Sequence, residues 1–133
     1  MKALYCAYCD DGYDPEGIGA LFVEDGIWDG ADFGRHVGRA AIMEFFGGIS
    51  GNITFAGHLV LNPIITVDGD TANGKWWLIM PCTTNIEGKK EARWLAAEYD
   101  DDYVKQNGRW LFKHLRLDIK FFAPHLEGWA AMT

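Results

Sequence analysis

His58 is the one ionisable side chain in the run Thr54-Phe55-Ala56-Gly57-His58-Leu59-Val60. An imidazole facing a dry pocket is suited to moving protons. It changes charge in the physiological range, and when an acid holds one ring nitrogen the other is free to take a proton. Candidate acids stand upstream in Cys9-Asp10-Asp11-Gly12. Acids at the C-terminal end of a helix oppose its dipole, so a carboxylate kept there needs a cationic or hydrogen-bonding partner.

Further groups could assist such a base. Tyr5 and Tyr8 offer phenolic donors. Asn62, four residues after His58, offers an amide for a substrate oxygen or marks a bulge before Pro63. Trp76 or Trp77, with Trp94, Met80 and Phe55, would make a hydrophobic wall for a ring-bearing substrate. Asp100-Asp101-Asp102 looks like a metal cluster, but consecutive strand residues point to opposite faces and do not converge on one ion. Cys6 and Cys9 form a lone C-x-x-C with no second ligand pair, which reads as two small half-buried residues on one helix face. No metal or cofactor is expected.

The 133 residues are the size of a single domain spanning 1–133. Hydrophobic residues make up 49% of the chain and there are six tryptophans, enough to line a cavity or a subunit interface as well as a core. A net charge of −7 disfavours nucleic acid and anionic membrane as partners. There is no run of roughly 18 apolar residues and no signal-peptide plan. Three cysteines fit a reducing compartment. A cytoplasmic protein is the expectation.

The elements that must position these residues divide the chain in two. Leu4, Tyr5 and Tyr8 keep helical spacing over the first ten residues. Asp14-Pro15-Glu16 opens a second short helix that runs to about Leu21. Leu21–Val23 and Gly26–Trp28 read as extended pieces leading into a small hairpin through Phe33. Ala40, Ala41, Ile42, Phe45 and Phe46 predict a helix ended by Gly47-Gly48. Four long strands follow, over Thr54–Val67, Thr71–Thr84, Ala92–Lys105 and Arg109–Phe122. Asp68-Gly69, Asn85–Lys90 and Asn107-Gly108 are their turns. His114, Arg116, Asp118 and Lys120 alternate with apolar residues, whereas Trp76–Met80 is apolar on both faces and must be covered twice, most simply by helices and another subunit. The fold class is α+β: a cone-shaped barrel with helices in the concave face of a strongly curved, mainly antiparallel sheet.

The order Cys-Asp-Asp-Gly, then Leu21-Phe22-Val23-Glu24-Asp25-Gly26-Ile27-Trp28, then Gly38-Arg39-Ala40-Ala41-Ile42, resembles the nuclear transport factor 2-like superfamily. His58 five residues before Pro63, the turn Val67-Asp68-Gly69-Asp70, and Asn107-Gly108-Arg109-Trp110-Leu111-Phe112 agree with it. The likeness is greatest to the SnoaL-like branch that holds scytalone dehydratase, bile-acid 7α-dehydratase and hexachlorocyclohexane dehydrochlorinase. It implies a His-Asp dyad in the cone, and counting back 17 positions from Trp28 puts the aspartate at Asp11, with Asp10 the alternative if the register slips by one. Some relatives carry a lysine or tyrosine five residues before that aspartate to bind the leaving group; from Asp11 this position is Cys6. The dehydrochlorinase's strand arginine is replaced, roughly at Asp100. The resemblance thus implies a cofactor-independent lyase of the dehydratase type, acting on a small hydrophobic cyclic substrate. An isomerase, a cyclase or a noncatalytic assembly subunit would share the same cone. It also implies a homo-oligomer, with a trimer favoured over a dimer.

Overall fold

The computed structural model describes residues 1–133. Three helices, α1 (Lys2–Asp10), α2 (Pro15–Gly19) and α3 (Arg39–Ile49), pack in the hollow of one seven-stranded sheet. Its strands are β1 (Phe22–Asp29), β2 (Arg35–Val37), β3 (Ile53–Ala56), β4 (Leu59–Asp68), β5 (Thr71–Ile86), β6 (Lys89–Gln106) and β7 (Arg109–Pro124). The spatial order is β2-β1-β7-β6-β5-β3, with β4 also paired to β5. Every pairing is antiparallel except β1 with β7. This is the cone-shaped α+β fold expected of the sequence. No helix is long and apolar enough to cross a membrane.

Side-chain periodicity accounts for the layers. On β5, Leu78, Met80 and Cys82 turn inward, and on β6 Leu95, Ala97 and Tyr99 do the same; all six are buried. They meet Tyr5, Cys6 and Cys9 of α1 and Ile42 and Phe46 of α3 in one continuous hydrophobic core. Register shifts opposite Ala96–Ala97 and Asp102–Tyr103 interrupt the β6–β7 ladder, and such bulges bend a sheet into a cone. The hairpin turns lie where Asn-Gly and Asp-Gly occur. Asn107 and Gly108 are both left-handed, as are Glu87 and Gly88 in the loop expected over Asn85–Lys90, which tightens to two residues.

Three local expectations change. β1 is one continuous strand, and its hairpin runs past Phe33, which sits in a 3-10 turn (Ala31–Phe33), to Val37. Helix α3 continues through Gly47-Gly48 to Ile49, because both glycines lie on an open face and keep helical geometry. The strand expected over Thr54–Val67 is broken at Gly57-His58. The cause lies across the sheet, at Pro81. In an antiparallel strand a residue's N–H and C=O point to the same side. The Pro81 carbonyl accepts from Gly57 N–H at 3.0 Å, so the N–H that proline lacks would have served the same place. The ladder stops there and resumes at the Leu59–Ile79 pair.

Candidate active site

At the break in the strand the backbone N–H of His58 points away from β5 and has no strand partner. It donates to Asp10 Oδ1 at 2.9 Å, and ring Nδ1 lies 2.7 Å from the same oxygen. Asp10 is the last residue of α1, so its carboxylate, unfavourably placed against the helix dipole, is offset by two donors from one residue. With Nδ1 carrying the hydrogen toward a carboxylate, Nε2 is the nitrogen left with a lone pair. The imidazole itself is buried, while Asp10 is open to solvent on one side.

The partner of His58 is thus Asp10 and not Asp11. Asp11 is the C-cap of α1; its backbone N–H bonds to Ala7 O at 3.0 Å and its side chain is exposed with no hydrogen bond. A step of one residue turns a helix by about 100°, which carries Asp11 off the face that Asp10 presents to His58.

His58 closes one side of an apolar cavity of about 30 Å³, lined otherwise by Tyr5, Tyr13, Trp28, Phe33, Phe45, Phe46, Ile49, Ile53, Leu78, Met80, Leu95, Tyr99 and Leu117. That volume holds about one or two water molecules; drug-sized ligands occupy roughly 300–1,000 Å³. Three phenols supply polarity. Tyr5 accepts a hydrogen bond from Trp28 Nε1 at 2.9 Å, which leaves its own hydrogen available to a further acceptor. Trp28 can lie flat there because residue 30 is glycine: a Cβ on Gly30 would come within 2.1 Å of the indole. Tyr13 presents its ring to the imidazole edge-on, at 6.0 Å and 83°, and stacks on Phe46 at 5.9 Å. It is held at φ 59°, a conformation that costs a non-glycine residue about 1–3 kcal/mol. Burial pushes the phenols of Tyr5, Tyr13 and Tyr99 well above their ordinary range, so all three remain hydrogen-bond donors at neutral pH.

The other residues singled out from sequence divide between the two faces of the sheet. Tyr5 and Met80 line the cavity. Tyr8 does not; its ring packs over Gly17 of α2. Asn62 sits at a left-handed bulge before Pro63, exposed on the outer groove, because the register shift between Leu61 and Ile64 turns it away. Phe55 is 58% exposed, displaced by a shift between Ile53 and Phe55 that turns Ile53 inward instead. Trp76 bonds to Tyr103 beyond the cavity, and Trp77 and Trp94 lie on the convex face. Trp94 Nε1 donates to His125 Nδ1 at 2.9 Å. Cys6 and Cys9 are fully buried free thiols, and burial pushes Cys6 up to about 11. Sequence reading missed Tyr13, Tyr99 and Trp28. Gly12-Tyr13 directly after the two aspartates was the available signal, since a glycine there lets the chain reverse and swing the next side chain inward.

Residues 1–116 match the SnoaL-like domain family. Among solved structures, the chain is similar to a scytalone dehydratase-like protein of Novosphingobium aromaticivorans, with 26% identity and a TM-score of 0.79 over 91% of this chain and 80% of that one. The hexachlorocyclohexane dehydrochlorinase LinA-type3 of Novosphingobium barchaimii shares the fold at 18% identity, with a TM-score of 0.76 over 92% and 86% of the two chains. So does an NTF2-like protein with a cystatin-like fold, also from N. aromaticivorans, at 24% identity and a TM-score of 0.67 over 98% and 80%. No curated protein sequence matches the chain.

Proposed function

The chain belongs to the SnoaL-like domain family of the nuclear transport factor 2-like superfamily, and from that membership we propose that it is a cofactor-independent, dehydratase-like lyase for a small hydrophobic cyclic substrate. One observation carries the reading: His58 is fixed by Asp10 through two hydrogen bonds at the wall of an apolar cavity. His58 Nε2 takes a proton from carbon, the C–H electron pair becomes a carbon–carbon double bond, and the neighbouring C–O bond breaks. The departing oxygen, hydrogen-bonded by a phenol, receives the proton that His58 has taken and leaves as water. Asp10 keeps Nδ1 protonated and stabilises the imidazolium. Tyr5 is the first candidate donor. Counted from Asp10, it occupies the position five residues upstream where some relatives place a lysine or tyrosine, a position that Cys6 holds only if Asp11 is taken as the dyad acid. Tyr13 and Tyr99 are the others. Apolar walls exclude bulk water, which keeps the base effective and strengthens every dipole inside.

The exposed row Leu59, Leu61, Ile64, Ile65 and Val67 on β4 supports a homo-oligomer, for which the dehydratase resemblance favours a trimer over a dimer. The cavity's small volume favours a second reading, a noncatalytic binding or assembly subunit. Alicyclic and aromatic ketones incubated in deuterated water separate the two. Exchange at the α-carbon that disappears in His58→Ala is the expected result, and an absence of exchange across the panel supports the noncatalytic reading. Loss of water from a hydroxyketone then distinguishes a lyase from an isomerase or cyclase.

A further inference from the structure

Beneath the cavity lies a pair of charges that this chemistry does not use. Lys2 Nζ bonds to Asp101 Oδ2 at 2.8 Å, with both side chains almost wholly buried. Two costs weigh against the pair. A lysine in the first turn of a helix opposes the dipole, and burying an ion pair commonly costs more than its attraction returns. Tyr103 donates a second hydrogen bond to Oδ2 at 3.0 Å, and Trp76 Nε1 bonds to the Tyr103 hydroxyl at 3.1 Å. Two donors thus meet on Oδ2, whereas Oδ1, equally buried, has no partner.

The pair is oriented. Its positive end lies against three rings, two of them lining the cavity: Lys2 Nζ is 3.1 Å from the Tyr99 ring centroid, 5.1 Å from that of Tyr5 and 5.4 Å from that of Phe112, which lies outside the cavity. Its negative end faces Tyr103 and Trp76, outside the cavity. The thiols of Cys6 and Cys9 beside the ammonium are kept neutral by burial and do not cancel it. In a dry interior a fixed dipole acts strongly over such distances.

We propose that Lys2, anchored by Asp101, is a positioning residue that holds the Tyr5 and Tyr99 rings and directs positive potential through them into the cavity, so that the site prefers a bound oxyanion to its neutral counterpart. The inference rests on the cavity being the ligand site of the proposed lyase. It assigns the buried pair to stabilising the negative charge that builds on a substrate oxygen as His58 takes its proton.

The test uses two probes of similar size, 4-nitrophenol, whose absorbance reports its ionisation, and uncharged 4-nitroanisole. They are titrated into the wild-type protein and into the double variant K2M/D101N, which removes both charges while keeping similar volumes. His58 is intact in both proteins, so its contribution is common. The expected result is that the wild type binds 4-nitrophenol as the phenolate with its apparent pKa lowered. The double variant binds 4-nitroanisole equally well but loses the phenolate preference about tenfold, one pKa unit. An unchanged preference in K2M/D101N overturns the inference and leaves the cavity as a ligand site. If the wild type binds neither probe, the cavity reading fails and the inference falls with it. Should the double variant fail to fold, Lys2→Arg replaces it: a retained preference with the charge retained supports the inference, and a preference lost despite the charge overturns it.

Discussion

Asp10 Oδ1 accepts from both the backbone N–H and ring Nδ1 of His58, at 2.9 and 2.7 Å. A single carboxylate oxygen therefore fixes the position of the residue and the tautomer of its ring together. Asp10→Asn keeps an oxygen that can accept but removes the negative charge that stabilises the imidazolium, and should lower turnover in the exchange assay about 10²–10⁴-fold. Asp11→Asn should stay within about twofold, as an exposed substitution does. Equal losses in the two variants would contradict the assignment.

The indole of Trp28 donates to the buried hydroxyl of Tyr5. Trp28→Phe removes the donor and leaves a buried acceptor without its partner, a loss of about 1–3 kcal/mol, in addition to any loss of packing. Urea denaturation of Trp28→Phe alongside Trp28→Phe/Tyr5→Phe isolates the bond. The double variant should recover part of the loss, because it leaves no orphaned hydroxyl.

His114 makes stability depend on pH. Burial, then the Arg116 and Arg35 charges, hold its imidazole below the usual 6.5. Arg116 Nη2 stands 3.1 Å from its Nδ1, and arginine can only donate, so the folded state needs that nitrogen unprotonated. Over the interval below 6.5 the unfolded chain therefore holds a proton that the folded chain refuses. Stability must rise with pH through this interval and level off above it. His114→Gln keeps an acceptor without the titration. Its melting temperature relative to wild type should rise as the pH falls from about 7 to 5, and parallel curves would refute the assignment.

β4 leaves Ile64 67% exposed and Val67 60% exposed on a strand whose outer edge has no partner. Such an edge pairs with other chains unless it is blocked. Ile65→Lys with Val67→Lys should reduce the sedimentation mass to that of the monomer while the far-ultraviolet circular dichroism stays unchanged. A native assembly that survives both lysines would place the interface elsewhere.

Much of this architecture could be read from local patterns. Asn107-Gly108 and Asp68-Gly69 mark turns because few other residues adopt the required dihedrals, and the alternation in β6 and β7 marks the wet and dry faces. What escaped depends on pairs far apart in sequence. The break at His58 is caused by Pro81, 23 residues away and visible only once the two strands are aligned. The outward turn of Phe55 comes from a register shift that no periodicity announces, whereas Pro63 signals the bulge at Asn62. The choice between Asp10 and Asp11 rests on which of two successive residues faces His58, and a position read from sequence is uncertain by just such a step. Tyr13 stays hidden in the sequence because a bulky residue at positive φ is not what a turn motif predicts.

The cavity of about 30 Å³ also sets how fast a ligand can be captured. A pocket of that size admits a ring-bearing ligand only as its lining side chains shift outward, so the intrinsic affinity is divided by the fraction of molecules in which they have done so. Observed binding rates would then cease to rise with ligand concentration and settle at the opening rate of the aromatic wall. Trimming Phe33 or Phe45 at that wall would lift the plateau without touching His58.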